Sequence, residues 1–167
     1  MKNLFKIAVL LLFLFFGFNT SHAMGQFFMM ENSLVGEEAK DFTLETLSGN
    51  KVSMNQFRDG KKAIIFFWAT WCPHCQEQLR ELNEQKSAIE GKGIKIILVD
   101  VGEKKAKVAS YVTKNNISME IFLDPALLTS DEYAVIGVPT LFFTDENGNV
   151  KAVKHALPND LDEIFLK

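Results

Sequence analysis

A continuous apolar run, Lys62–Trp68, constrains the fold of this chain more than any other segment. It is rich in β-branched and aromatic residues, which is typical of a strand buried on both faces. Ile94–Val99 is a second run of this kind. Between them, Cys72–Glu90 has apolar residues at helical spacing and charged residues on its other face, which predicts an amphipathic helix. The strand, helix and second strand predict a βαβ unit.

Shorter patterns surround this unit. Asp41–Glu45 and Lys51–Ser53 flank a turn signal and predict an N-terminal β-hairpin. Thr140–Thr144 and Val150–His155 predict a second antiparallel hairpin, in which Gly148 supplies a positive φ angle to the turn. Helices are predicted in three further segments: Glu103–Asn115, Thr129–Tyr133 and Asp160–Leu166. These elements together predict an α/β fold with a central mixed β-sheet flanked by helices.

The composition excludes several classes of function. At 167 residues, 47% hydrophobic and 23% charged, the chain is long enough for one ordinary globular domain. It has 18 basic and 21 acidic residues, a formal net charge of -3, and no charge blocks, so we expect no nucleic-acid partner. Because the chain has only 2 cysteines, it is neither a disulfide-rich mini-protein nor a four-cysteine zinc module. We expect no cofactor and no metal.

The first residues have the pattern of a signal peptide. Lys2 and Lys6 precede the apolar run Ile7–Phe18, and the small residues of Ser21-His-Ala23 fit a cleavage site. This run is well short of the roughly 20 residues that cross a bilayer as a helix. We therefore expect residues 1–23 to be a signal peptide cleaved after Ala23 and the mature chain to be exported, for example to a periplasm. An uncleaved membrane anchor is the alternative.

The candidate chemistry lies at the start of the predicted helix, where Cys72 and Cys75 are close enough to form a small disulfide ring. The partial positive charge and free N–H groups of a helix N-terminus favour a thiolate at Cys72. Pro73 loses no hydrogen bond in the first turn, and His74, if protonated or donating a hydrogen bond, stabilises the thiolate further. We therefore predict that Cys72 is the nucleophile and that Cys75, one turn further in, resolves the mixed disulfide.

Four other uses of a cysteine pair have less support. A structural zinc site needs four ligands, and besides the cysteines the mature chain offers only His74 and His155. An inert structural disulfide usually closes a longer loop. A Cu(I)-delivery protein needs Met or His ligands nearby, which spacing alone does not reveal. A peroxide-reducing enzyme of this class has Thr three residues before its reactive cysteine, where this chain has Ala69 or Cys72.

Two motifs carry a family resemblance. The segment Phe67-Trp-Ala-Thr-Trp-Cys-Pro-His-Cys75, together with Gly137-Val-Pro-Thr140, resembles the thioredoxin superfamily, specifically the exported TlpA/ResA-like thiol-disulfide oxidoreductases. The resemblance covers residues 37–167, which leaves 24–36 as an N-terminal extension. It implies a thioredoxin-like fold in which a cis peptide bond before Pro139 faces the cysteines and the backbone of its neighbour Val138 pairs with a bound substrate strand.

The resemblance also implies residue roles and partners. The implied substrate-binding residues are Val138, Pro139 and Thr140. Trp71, Pro73 and His74 are the implied residues that tune the cysteine pair. The expected partners are protein thiol or disulfide substrates and a membrane-bound electron donor or acceptor, and the chain is expected to be a monomer.

The direction of electron flow is open at this point. The resemblance to TlpA and ResA implies a protein disulfide reductase. However, the buried acid of thioredoxins is replaced by Phe66, and the Glu of ResA-like members is replaced by Gln78. The Pro73-His74 pair is similar to that of DsbA-like oxidases, so a disulfide-forming oxidase is the alternative. A Cu(I)-binding or delivery protein is a further alternative from a different class.

Overall fold

The computed structural model describes residues 32–165. The predicted signal peptide, residues 1–23, and the first part of the predicted extension therefore lie outside the described residues. In the described range, no helix has the length and apolar character needed to cross a membrane.

A seven-stranded mixed sheet forms the centre of the fold, with the strand order β2-β1-β5-β4-β3-β6-β7. The strands are β1 (Thr43–Thr46), β2 (Lys51–Ser53), β3 (Lys62–Trp68), β4 (Ile94–Val101), β5 (Ile121–Asp124), β6 (Thr140–Thr144) and β7 (Val150–Lys154). The central strand β3 pairs parallel with β4 and antiparallel with β6. The N-terminal hairpin of β1 and β2 joins the sheet through antiparallel pairing of β1 with β5.

The described helices are α1 (Met54–Arg58), α2 (Pro73–Gly91), α3 (Lys105–Lys114), α4 (Leu128–Glu132) and α5 (Asp162–Phe165). The long helix α2 follows β3 directly and ends before Gly93, which has a φ of +75°. Gly148 has a φ of +94° in the turn between β6 and β7, as predicted. A Cβ atom at Gly148 would lie 3.2 Å from a guanidinium nitrogen of Arg58, so close packing as well as φ favours glycine there.

The predicted α/β fold and N-terminal hairpin are confirmed, but the sequence pattern missed two elements. Strand β5, Ile121–Asp124, has only four residues, all buried, which is too short to show a period. Helix α1, Met54–Arg58, is one short turn that Ser53 caps by accepting a hydrogen bond from the N–H of Gln56. The predicted bounds of the three shorter helices were wrong by one to two residues, as is common where helix ends fray, except that the predicted end of the last helix, Leu166, lies outside the described residues.

The sheet separates two hydrophobic clusters, because successive side chains of a strand point to opposite faces. On one side, here called the cysteine face, Phe66 and Trp68 of β3 pack in a cluster with both cysteines. On the other side, here called the aromatic face, Phe67 of β3 packs in a cluster with Tyr133 and with Phe42, Phe122 and Phe142. The cysteines therefore lie where the carboxyl end of the central strand passes into α2.

Candidate active site

The two cysteines form a disulfide at the N-terminus of α2, with their Cα atoms 5.2 Å apart. Cys72 is the N-cap residue, and its sulfur accepts a hydrogen bond of 3.1 Å from the backbone N–H of Cys75. Cys72 is 4% exposed, whereas Cys75 is fully buried. A helix N-terminus that directs an N–H at Sγ stabilises negative charge on that sulfur.

The residues around the pair differ in their exposure. Pro73 occupies the first turn of α2, where its missing N–H costs no hydrogen bond. His74 is exposed on the same turn. Trp71, directly before the cysteines, is 63% exposed, which is unusual for so large an apolar side chain.

The loop before β6 faces the cysteines. The Val138–Pro139 peptide bond is cis, as the family resemblance implies. The carbonyl oxygen of Val138 lies 3.6 Å from Sγ of Cys72. The hydroxyl of Thr140 is buried and donates a hydrogen bond of 2.6 Å to the carbonyl of Gly137, which closes this loop on itself.

His155 contacts the same loop from the end of β7. Its Nδ1 lies 2.9 Å from the carbonyl oxygen of Pro139, so Nδ1 carries the hydrogen and donates. From the sequence, His155 was expected to matter only as a possible zinc ligand. Nothing in the sequence indicated this contact, because it joins a residue just before β6 to the side chain of a residue just after β7.

Two acidic side chains lie behind the segment that leads to the cysteines. Asp100, at the end of β4, is fully buried, and Glu103 is 6% exposed. The Glu103 carboxylate accepts hydrogen bonds from both the N–H and the hydroxyl of Thr70, the latter at 2.8 Å. The carbonyl of Thr70 in turn accepts a hydrogen bond of 2.7 Å from Nε2 of Gln76 in α2.

These two carboxyl groups have opposite pKa shifts. Burial raises the pKa of Asp100, and the adjacent Glu103 carboxyl group raises it further, to about 8. Burial alone would also raise the pKa of Glu103, but the interactions with Lys107, Thr70 and the neighbouring Asp100 outweigh burial and hold that pKa below its usual value. Neither residue was predicted as a site residue from the sequence, although an acid at the end of the apolar run of β4 was a visible signal.

The two departures from the family pattern have clear structural counterparts. Phe66 is fully buried in the cluster of the cysteine face. Gln78 lies on α2, where its side-chain oxygen accepts a hydrogen bond from the backbone N–H of Leu157. Gln78 therefore ties α2 to the chain after β7.

Four large apolar side chains of the described region are exposed: Trp71, Leu127, Leu128 and Ile136. Trp71 follows β3, and Leu127 and Leu128 follow β5. Ile136, which is 92% exposed, lies shortly before the cis peptide bond of the loop. All four belong to loops or helix starts at the end of the sheet that carries the cysteines. Across residues 32–165, no group of three or more His, Cys, Asp or Glu side chains is placed to hold a metal ion.

Comparison with protein families shows a match to the AhpC/TSA family over residues 35–153. Among curated proteins, the thiol-disulfide oxidoreductase ResA of Bacillus thuringiensis subsp. konkukian is 30% identical over 144 residues, which cover 86% of this chain and 83% of that protein. ResA of Geobacillus thermodenitrificans is 33% identical over 119 residues, covering 71% of this chain and 68% of the relative.

Solved structures with the same fold include the following two. A putative thiol:disulfide interchange protein DsbE from Chlorobium tepidum superposes with a TM-score of 0.68 at 26% identity, covering 75% of this chain and 87% of that one. StoA from Bacillus subtilis superposes with a TM-score of 0.61 at 26% identity, covering 70% and 88%. The similarity thus includes both the fold and the part of the chain that carries the cysteines.

Proposed function

The chain belongs to the AhpC/TSA family, as a thiol-disulfide oxidoreductase similar to ResA, and from this premise we propose that it is an exported reductase of disulfides in protein substrates. In this proposal the reaction passes through a mixed disulfide at Cys72, which Cys75 resolves. The substrate is held by the backbone and side chains of residues 138–140.

One observation carries the assignment of roles to the cysteines. The sulfur of Cys72 accepts a hydrogen bond from the N–H of Cys75 at the helix N-terminus and lies 3.6 Å from the carbonyl oxygen of Val138. The sulfur of Cys75 belongs to a residue with no exposed surface. A substrate sulfur can therefore approach Cys72 from the loop side, whereas Cys75 is reached only through Cys72.

The reaction follows from this geometry in two exchanges. The Cys72 thiolate attacks a substrate disulfide, so one substrate sulfur leaves as a thiolate and takes a proton, and a mixed disulfide forms. Cys75 then loses its proton and attacks Sγ of Cys72, which releases the second substrate thiol. The balance is two electrons and two protons passed to the substrate. The product is the Cys72–Cys75 disulfide, the state in which the structure shows the protein.

Substrate recognition in this proposal uses the loop and the exposed apolar side chains beside it. The backbone of Val138 has its carbonyl near the attacking sulfur, so a substrate strand paired with it would place its own cysteine at Cys72. Trp71 and Ile136 are exposed near this loop and offer apolar contacts. Such contacts suit protein segments that expose apolar side chains.

The reductive direction is favoured by the similarity to ResA, and one feature favours the alternative. Pro73 and His74 lie between the cysteines as in DsbA-like oxidases, and stabilisation of the Cys72 thiolate makes a disulfide more oxidising. We keep the disulfide-forming oxidase as the second candidate for this reason. A Cu(I)-delivery role has no comparable observation behind it.

The proposed setting is outside the cytosol. The signal-peptide pattern of residues 1–23 supports export and cleavage after Ala23. Outside the cytosol a dithiol does not stay reduced by itself. The reductase therefore needs a membrane-bound electron donor that restores the Cys72 and Cys75 thiols after each turnover, and we propose that it works as a monomer.

Trapping of mixed disulfides tests the assignment of roles. Reduced Cys75→Ala protein, incubated with insulin as a disulfide-bonded substrate, should accumulate a covalent complex that is visible on a non-reducing gel and lost with dithiothreitol. The reason is that Cys72 can still attack but nothing resolves the product.

The matched control is Cys72→Ala, which should give little complex because its remaining thiol is buried. More complex from Cys72→Ala than from Cys75→Ala would exchange the two roles. No complex from either variant would contradict the proposed reaction.

A further inference from the structure

Asp100 and Glu103 are two buried acids that the proposed reaction does not use. In the parallel pair of β3 and β4, Asp100 is the register partner of Trp68. Register partners of neighbouring strands point to the same face. The Asp100 side chain therefore points to the cysteine face, where Trp68 packs in one cluster with Cys72 and Cys75.

Glu103 is fixed by three donors. It accepts the N–H and the hydroxyl of Thr70, and its Oε1 lies 2.6 Å from Nζ of Lys107. All three interactions require a carboxylate or are strengthened by it. Thr70 stands two residues before Cys72, so the charge on Glu103 positions the segment that presents the nucleophilic sulfur.

Asp100 has a different environment. Both of its carboxyl oxygens are buried, and neither makes a hydrogen bond of good geometry within the described part of the chain. Beside it lies the Glu103 carboxylate. Two adjacent buried carboxyl groups do not both ionise readily, because each charge opposes the other and neither is solvated. Since Glu103 is held as the carboxylate, the proton belongs to Asp100.

We propose that protonated Asp100 and ionised Glu103 form a positioning pair for the Thr70–Cys72 segment, and that loss of the Asp100 proton adds a second negative charge that suppresses the Cys72 thiolate. This inference rests on Cys72 being the nucleophile of the proposed function. The pair does not contact the substrate. It acts on Cys72 through the hydrogen bonds to Thr70 and through its charge.

The direction of the coupling follows from electrostatics. A negative charge on Asp100 repels a thiolate at Cys72, so each ionisation makes the other harder, and the effect is reciprocal. The charged groups that act on Asp100 are Glu103, in the segment after β4, and Lys107 in α3. The raised pKa of Asp100, about 8, places its ionisation in the range in which thiols titrate.

The pH profile of Cys72 alkylation tests this inference. The reduced protein carrying Cys75→Ser is treated with iodoacetamide from pH 5 to pH 10, with and without Asp100→Asn. We expect two inflections in the logarithm of the rate with Asp100 present and one inflection with Asn. Asp100→Asn should raise the ionisation constant of the Cys72 thiol that the upper inflection reports by roughly threefold to tenfold, the effect of removing one nearby charge.

The matched control is Asp124→Asn. Asp124 is also a buried aspartate, at the end of the neighbouring strand β5, but its carboxylate accepts the N–H groups of Thr129 and Ser130 and does not contact Thr70. This variant should keep both inflections. Identical profiles with and without Asp100→Asn would overturn the proposal, whereas the trapping result for Cys75→Ala would be unaffected.

A measurement on the unaltered protein covers the case in which Asp100→Asn does not fold. The oxidised protein has no titrating thiol, so its infrared spectrum should show the band of a protonated buried carboxyl group at pH 6 that is lost by pH 10. Absence of this band at pH 6 would contradict a proton on Asp100.

Discussion

The two faces of the sheet are built from the same strands but hold different kinds of side chain. On the aromatic face, Phe67, Tyr133 and Phe142 contact one another with ring centroids 5.0 to 5.6 Å apart. The Tyr133 hydroxyl donates a hydrogen bond to the carbonyl of Lys40. On the cysteine face, Trp68 has a buried ring N–H without a hydrogen-bond partner among the described residues, and Asp100 has two such oxygens, whereas the strands contribute one such atom to the aromatic face, the hydroxyl oxygen of Thr144.

This difference assigns separate tasks to the two faces. Packed aromatic rings stabilise the fold and carry no chemistry. Buried polar groups without hydrogen-bond partners lower the stability of the fold, and such groups are often found at functional sites. We therefore expect substitutions on the aromatic face to lower the free energy of unfolding, and those on the cysteine face to change ionisation and redox behaviour.

The largest expected effect comes from Phe142→Ala on the aromatic face. Phe142 is fully buried, and removal of such a ring leaves a cavity that lowers the free energy of unfolding by about 3–5 kcal/mol. Denaturation by urea measures this loss. In the variant that remains folded, the reduction potential of the cysteine pair should be unchanged. A shift of that potential comparable to the effect of a substitution beside the cysteines would break the separation between the faces.

The next effect is the pH dependence of stability, which arises on the cysteine face. The unfolded chain loses the Asp100 proton near the ordinary value of 3.8, whereas the folded protein keeps it until about 8. Between these values the folded state binds more protons, so this group makes the free energy of unfolding fall as pH rises. Urea denaturation of the oxidised protein across this range should show a flatter pH dependence in Asp100→Asn.

Glu103 makes the free energy of unfolding change with pH in the opposite direction, so it serves as an internal reference. Its pKa is lowered in the folded protein, so its contribution is lost as pH falls below its ordinary value of 4.5. This loss of stability at acid pH should persist in Asp100→Asn. If Asp100→Asn leaves the slope between pH 4 and pH 8 as steep as before, the carboxyl of Asp100 is not held protonated by its surroundings.

The smallest expected effect is that of Tyr133→Phe on the aromatic face. The substitution keeps the ring contacts and removes only the hydroxyl that donates to Lys40. It should lower the free energy of unfolding by about 0.5–1.5 kcal/mol, the usual net contribution of one hydrogen bond. A loss as large as that of Phe142→Ala would mean that this hydrogen bond, and not the ring packing, stabilises the aromatic face.

The secondary-structure elements were more predictable from the sequence than the contacts around the cysteines. The strand Lys62–Trp68 and the helix after it were predicted closely, because long apolar runs and a helical period of apolar residues are strong signals. The position of Cys72 and Cys75 at the junction followed from the same two elements. Strand β5 was missed because four buried residues show no period.

The contacts around the cysteines depend on tertiary structure and could not be predicted. Glu103 was assigned to a helix, but that helix begins at Lys105 and Glu103 instead holds Thr70, more than thirty positions away in the chain. His155, just after β7, contacts Pro139, just before β6. Such pairings depend on sheet order, and neither residue type nor spacing encodes it.

The reduction potential of the Cys72–Cys75 pair tests the central claim, that this thiol-disulfide oxidoreductase works as a reductase, most directly. Equilibration with glutathione or dithiothreitol buffers should give a value between about -270 mV, the potential of thioredoxin, and about -120 mV, that of DsbA. The potential should lie above that of thioredoxin because His74, in the first turn of α2, should stabilise the Cys72 thiolate and so the reduced form. His74→Gly should make the potential more negative. A value close to that of DsbA would contradict the reductase and assign the protein to disulfide formation.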